Sequence, residues 1–142
     1  MSGIEIIRQD IEEIISNLGI REMSKLSGKN LLITGPNGLI ASYIVDTIAY
    51  LNDNTFKKPC NVIGLSRTPI NKTSRLGHLL KRDDIQFENL DVSKVPSHTQ
   101  FTLPIHFIIH AAGRSSPQTF INDPIGTIDV NIRALRWLLE IA

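Results

Sequence analysis

The stretch that most constrains this chain runs from Asn30 to Ser42. There an apolar run, Leu31-Leu32-Ile33, passes through Thr34-Gly35-Pro36-Asn37-Gly38 into Leu39-Ile40-Ala41. A continuous apolar run ending at a glycine turn reads as a strand buried on both faces, the mark of a parallel sheet. At Gly35 the chain must turn sharply and at Gly38 its backbone must approach a ligand closely; a Cβ at either position would fill the space needed. Ala41, one helical turn on, is small enough to let the helix pack against the strand. The first N–H groups of that helix have no partner within it and lie at the positive end of its dipole. The mouth of the turn therefore suits an anion, and a diphosphate fits it. The spacing is Gly-x-x-Gly-x-x-Ala, not the Gly-x-Gly-x-x-Gly of the general dinucleotide fingerprint. An ordinary strand-turn-helix connection is the alternative.

With 142 residues, 42% hydrophobic, 20% charged and a net charge of +1, the chain suits a soluble globular domain, without the basic excess that nucleic acid binding uses. No apolar run approaches membrane-spanning length, and an N-terminus carrying Glu5, Asp10, Glu12 and Glu13 does not read as a signal peptide. The expectation is a cytoplasmic protein with neither nucleic acid nor membrane as partner. Cys60 is the single cysteine; it cannot form an internal disulfide, and beside an apolar strand it reads as a packing residue. No Cys/His cluster has metal-ligand spacing, so no metal is expected.

Residues 1–28 form an N-terminal amphipathic helix and a linker. Ile4, Ile7, Ile11, Ile14, Ile15 and Leu18 recur at helical spacing, a stripe suited to covering part of the domain or a partner subunit. Residues 29–142 read as one domain. After the glycine turn a helix continues to about Tyr50 and is stopped by Asn52-Asp53-Asn54. Asn61 to Ser66 is a second strand, and a right-handed crossover makes it parallel to the first. At the end of such a strand an acid accepts the ribose hydroxyls of an adenosine, or an arginine takes a 2′-phosphate. Here the pair is Ser66-Arg67, without an acid, which points toward NADP; Arg67 stacked on adenine, or simply solvated, is the alternative.

Residues 68–82 suggest a short helix under a mobile surface loop, with Lys72, Arg75, Lys81 and Arg82 as a solvated face. Ile85 to Leu90 is a third strand leading into Asp91-Val92; taken alone, an aspartate there is a turn former or helix cap. The loop from Pro96 to Pro104 carries Ser97, His98, Thr99 and Gln100 and no assignable chemistry. Ile105 to His110 is a fourth strand, and the small residues Ala111, Ala112 and Gly113 let the backbone pass beneath a flat ring. His110, ending a buried strand, reads as a hydrogen-bonded core residue. Asp123 to Ala134 opens the last helix, with Leu135, Leu138, Leu139 and Ile141 as its apolar positions. Asn131, a poor helix former in mid-helix, asks for a reason.

Taken together these motifs resemble the extended short-chain dehydrogenase/reductases, the nucleotide-sugar epimerases and dehydratases. Thr34-Gly35-Pro36-Asn37-Gly38-Leu39-Ile40-Ala41 is similar to that family's Thr-Gly-x-x-Gly-x-[Ile/Leu]-[Gly/Ala] turn, and His110-Ala111-Ala112-Gly113 to its fourth-strand signature. Asp91-Val92 and Asn131 with Ala134 match further positions, in the family's order. The Ser-Ser-Pro run and the Asp-Pro-Ile-x-Thr stretch look like the UDP-glucuronate decarboxylase and dTDP-glucose 4,6-dehydratase branch.

The resemblance implies an α/β, Rossmann-type doubly wound parallel sheet, truncated after about four strands. It also implies a nicotinamide cofactor, NAD(P), with NAD preferred on family grounds. Gly35, Asn37, Gly38, Leu39 and Ile40 would cradle the diphosphate, Ser66 and Arg67 would meet the ribose, and Asp91 and Val92 would flank adenine. Ala111, Ala112 and Gly113 would line the nicotinamide side, Asn131 would hold the active-site backbone, and Ser115 and Ser116 would border a sugar nucleotide.

The family's proton transfer needs a Tyr-x-x-x-Lys pair. Neither Tyr43 nor Tyr50 has a lysine four residues on, so no catalytic residue is assigned. The expectation is the cofactor-binding part of a longer, homodimeric enzyme that oxidises C4 of a nucleotide-linked sugar. Alone, the chain would be inactive and would aggregate or dimerise through an apolar edge. The alternatives are a non-catalytic dinucleotide-binding sensor and an interaction domain that assembles through its isoleucine-rich first helix.

Overall fold

In the computed structural model, which describes residues 3–94, 101–114 and 116–142, the apolar run becomes strand β1 (Asn30–Thr34), buried along its whole length. Strands β2 (Asn61–Ser66), β3 (Ile85–Asn89) and β4 (Phe107–His110) join it in one parallel sheet of order β3-β2-β1-β4. Leu32 stands between Ile63 and Ile108, and Thr34 between Leu65 and His110. The sheet grows outward from β1 to β3 and then returns to add β4 on the other side of β1. Such a reversal opens a crevice at the carboxyl ends of the strands.

Alternation along β1 decides the two faces. Leu31 and Ile33 pack with Ala41, Val45 and Ile48 of helix α3 (Leu39–Asn54) and with Leu76 and Leu79, while Leu32 packs with Leu65, Val92, Ala134, Trp137 and Leu138 on the opposite face. Fully burying side chains such as Leu31, Leu32 and Ile33 contributes roughly 2 kcal/mol each. Covered on both faces, the sheet is a Rossmann-like α/β fold. Cys60 is buried among these apolar side chains, and that burial pushes its thiol up to about 11.

Helix α1 (Gly3–Leu18) rests on α3 through buried Ile11 and a 2.6 Å hydrogen bond donated by Tyr43 Oη to Asp10 Oδ2. Gly19 follows with φ 81 and leads into the short helix α2 (Ile20–Met23). None of the described helices is long and apolar enough to cross a membrane.

Several expectations are corrected. The Asn52-Asp53-Asn54 run lies inside α3, which continues to Asn54. Asn52 instead bonds the entry to β2: its amide nitrogen donates to Cys60 O at 2.9 Å and to Asp84 Oδ2 at 2.6 Å, and its oxygen accepts the Cys60 N–H at 2.8 Å.

Among residues 68–82 the structure has a single 3₁₀ turn at Gly77–Leu79 and no α-helix. Its arginines are not a solvated face: Arg75 pairs with Asp46 at 3.0 Å, and Arg82 with Asp53 and Asp84 at 2.8 and 2.7 Å.

A separate short helix, α4 (Pro117–Asn122), precedes Asp123, and the last helix carries a π turn: α5 (Pro124–Ile128), the π turn (Asp129–Arg133) and α6 (Ala134–Glu140) follow one another. Pro124 bars its predecessor from helical backbone. Asp123 accordingly sits at φ −145, ψ 73 and caps α5. Strand β4 also starts two residues later than expected. The loop residues Ser97, His98, Thr99 and Gln100, and also Ser115, lie outside the described residues.

Candidate functional site

Gly35 turns the chain at φ +67, with its N–H donating to Leu65 O at 2.9 Å. A Cβ there would come within 2.8 Å of Ala112 Cα, so the turn after β1 and the end of β4 pack backbone on backbone. Gly38 has an ordinary φ of −65 and stands at the N-cap of α3 without any side-chain cap. Ser42 N–H closes the first helical bond, to Gly38 O at 2.9 Å, so the amides of Leu39, Ile40 and Ala41 precede it at the positive end of the helix. The side chains of Leu39 and Ile40 are 71% and 72% exposed and stand outside the cleft described next, leaving backbone N–H groups as their contribution.

At this edge of the sheet lies a cleft of about 240 Å³. It brings together Gly35, Asn37 and Gly38 after β1, Ser66 and Arg67 after β2, Asp91 and Val92 after β3, and Ala111, Ala112 and Gly113 after β4. Asn37 Nδ2 donates to Ser66 Oγ at 3.4 Å, and Ser66 Oγ donates to Thr68 O at 2.7 Å, tying the first two strand ends together. Asp91 is a turn former and a cleft residue at once. Its Oδ1 accepts from Ser93 N–H at 3.1 Å and Ser93 Oγ–H at 2.7 Å, and these bonds, with the charges of Lys94 and Arg67, hold its carboxyl below the usual range. A larger groove of about 770 Å³, between α1, α3 and β4, is lined by aliphatic side chains such as Ile14, Leu31, Ile44 and Ile109. It carries neither the glycine turn nor the strand ends, so the smaller cleft is the candidate site.

Behind the cleft runs a chain of hydrogen bonds in which His110 takes the hydrogen-bonded place expected of it, with partners that no local pattern pointed to. Ala112 N–H donates to Thr34 Oγ1 at 3.0 Å, Thr34 Oγ1 meets His110 Nδ1 at 2.7 Å, and His110 Nε2 meets Val130 O at 2.9 Å. A carbonyl can only accept, so Nε2 carries the hydrogen and Nδ1 accepts the Thr34 hydroxyl. The π turn makes this possible: Ala134 N–H reaches back five residues to Asp129 O, leaving Val130 O for the imidazole. His110 is thus engaged at both nitrogens.

Asn131 lies in the same widened turn but is exposed. Its amide donates to Thr127 O at 2.8 Å and is not brought to the cleft. Ser116 also stays outside the cleft, capping α4 by accepting Thr119 N–H at 3.3 Å. Tyr43 is held elsewhere by Asp10 and by the Arg75 guanidinium, 4.7 Å over its ring; the hydrogen bond to Asp10 raises the pKa of its hydroxyl. Leu65, Thr68, Leu90, Ser93, Arg114, Gly126 and Val130 complete the lining. Gly126 and Val130 come to it from segments distant in sequence from the first three strand ends, for which no local signal exists. Among the described residues no group of three His, Cys, Asp or Glu side chains could hold a metal.

A model of the NAD dependent epimerase/dehydratase family matches residues 31–142. No curated protein matches the chain. Among solved structures, the chain is similar to the X-ray structure of Pen from Bacillus thuringiensis, with TM-score 0.65 and 20% identity over 82% of this chain and 34% of that one. At that identity the likeness is one of fold, and this chain spans about a third of that protein's length.

Proposed function

The chain belongs to the NAD dependent epimerase/dehydratase family, and from that premise we propose that it supplies the dinucleotide-binding part of an enzyme that transiently oxidises C4 of a nucleotide-linked sugar. The observation that carries this reading is the convergence of four strand ends on one cleft whose centre is an uncapped helix start. A Cβ on Gly38 would touch only Gly35 O, at 3.3 Å, so the ground before those amides is open to a diphosphate.

Arg67 then stands by the adenosine ribose, and Asp91 accepts from the exocyclic amine of adenine with Val92 against the ring. Ala111 to Gly113 give the nicotinamide room. The cofactor, when bound, supplies hydride acceptance and return. This chain's residues hold and orient it, and the Thr34–His110–Val130 chain fixes the wall on which it rests. NAD is the cofactor preferred over NADP, and the UDP-glucuronate decarboxylase or dTDP-glucose 4,6-dehydratase branch is the reading of the Ser-Ser-Pro and Asp-Pro-Ile stretches.

We also propose a homodimer. Ile125, Ile128, Ile132, Leu135 and Leu139 are spaced three and four residues apart and all are exposed, the spacing of a helix seam. An antiparallel two-fold pairing of that seam sets Asp129 of one copy beside Arg136 of the other, so charge and apolar pattern both suit a second copy. The dinucleotide reading is tested by fluorescence titration with NADH and NADPH. Saturable NADH binding that Gly38→Val abolishes is expected; no binding by either nucleotide overturns the reading.

A further inference from the structure

Arg114 lines the cleft just after β4. Because β1 stands between β2 and β4, it lies across the glycine turn from Arg67. Its Nη2 pairs with Asp123 Oδ2 at 2.6 Å. Asp123 is not itself in the lining; its Oδ1 accepts the Gly126 N–H at 2.9 Å, so the carboxylate is anchored to the start of α5 and holds the guanidinium against the wall.

Gly126 reports the same arrangement. It sits in a helix without a positive φ, where glycine is less favourable than alanine. A Cβ built on it would collide with Asp123 Oδ2 and Arg114 Nη2. The glycine is therefore explained by the ion pair that occupies its side-chain space. A guanidinium has five N–H donors and is charged at every working pH. Among the described residues Arg114 has one ionic partner, the half-exposed Asp123, which does not itself line the cleft.

Resting on the dinucleotide reading of the cleft, we propose that Arg114 is a specificity-determining residue that binds an oxyanion of the second substrate, a carboxylate or a phosphate group, beside the small-residue end of β4. The diphosphate belongs to the turn after β1 and the adenosine to the ends of β2 and β3. The β4 side is where the nicotinamide and the carbon to be oxidised remain to be placed. An anion held there lies next to the reacting carbon and fixes which end of the substrate enters.

The test uses the full chain labelled with ¹⁵N-arginine, saturated with NADH and titrated with acetate and, separately, with phosphate. The Arg114 Nε–H resonance is assigned with Arg114→Lys. A saturable shift of Arg114 is expected at concentrations roughly tenfold lower than shift the exposed Arg21, and the more effective anion names the group. Gly126→Ala, which displaces the guanidinium from its seat, is expected to weaken that response about tenfold. A shift completed by NADH alone, or one no tighter than that of Arg21, overturns the assignment while leaving the dinucleotide reading standing. A chain that binds no NADH overturns both.

Discussion

Gly35 and Ala112 meet backbone to backbone: a Cβ on Gly35 would lie 2.8 Å from Ala112 Cα and 2.9 Å from its nitrogen. The turn after β1 and the end of β4 are therefore one unit. Gly35→Ala adds left-handed strain to an overpacked contact, about 3 kcal/mol of lost stability in all. Gly38→Ala carries no left-handed strain and only a 3.3 Å approach to Gly35 O, and is expected to cost less than about 1 kcal/mol, yet to weaken NADH binding because its methyl stands before the helix amides. Urea unfolding alongside NADH titration separates the two. Equal destabilisation by both substitutions would contradict the packing argument.

The Thr34 hydroxyl is both acceptor and donor, linking Ala112 N–H to His110. Thr34→Val keeps the shape and removes both bonds in a fully buried position, leaving an amide and an imidazole nitrogen unpaired. A loss of about 2 kcal/mol in chemical denaturation is expected, with Thr34→Ser recovering most of it. A neutral Thr34→Val would show that water replaces the hydroxyl.

What was legible in the sequence was local. Leu31 to Ile33 announced a doubly buried strand and Gly35 its turn because run and turn are adjacent. The parallel pairing of the first two strands followed from their strand-helix-strand unit and its right-handed crossover. The π turn left only one trace, an asparagine in mid-helix at Asn131, because its cause is a histidine twenty residues away at the end of β4. Arg75 read as solvated because its partner Asp46 lies on α3, and a periodicity argument cannot see across elements; Arg82 reaches Asp53 on α3 in the same way, although its second partner, Asp84, is only two residues on. Asp123 read as a helix opener, and its second task, holding Arg114, is likewise tertiary.

Arg82 forks onto two carboxylates, with its Nε 2.8 Å from Asp84 Oδ1 and its Nη1 2.8 Å from Asp53 Oδ2. Hydrogen bonds from Arg82 above all, and from Asn52, hold the Asp84 carboxyl below the usual range. A lowered folded-state pKa means stability that is present above the unfolded value of about 3.9 and is lost as pH falls through the folded one. Acid unfolding followed by circular dichroism should therefore show a drop below about pH 4 that Arg82→Met reduces. An identical acid limb in the variant would sink the assignment.

Asp46 shows the opposite sign. It is 4% exposed, and burial raises its pKa despite Arg75 and His78, each 3.0 Å from one of its oxygens. A raised folded-state value means that stability is complete below the unfolded pKa and declines as pH rises through the folded one. Arg75→Met leaves the carboxylate buried with His78 alone. About 3 kcal/mol should be lost at neutral pH, with a smaller loss at pH 4, where the carboxyl can take a proton. Asp46→Asn in the Arg75→Met background should restore part of the loss. A deficit independent of pH would assign the effect to the lost stacking of Arg75 on Tyr43.

The seam along α5 and α6 presents Ile125, Ile128, Ile132, Leu135 and Leu139 at 66, 52, 64, 44 and 68% exposure. Isolated exposed aliphatics are ordinary, but five along one helical run, with Ile132 in its π turn, are the kind of exposed apolar stripe that marks an interface. If two copies pair antiparallel, Ile132 is central and a charge there must be buried or the pair must part. Ile132→Glu should weaken self-association by at least about 100-fold, about 3 kcal/mol, turning a dimer into a monomer in light scattering behind size exclusion. Arg136→Glu, at the rim beside Asp129 of the other copy, should weaken it less, and Asp129→Lys in the same chain should restore it. A wild-type chain that runs as a monomer at every concentration would remove the second copy as the occupant of the seam.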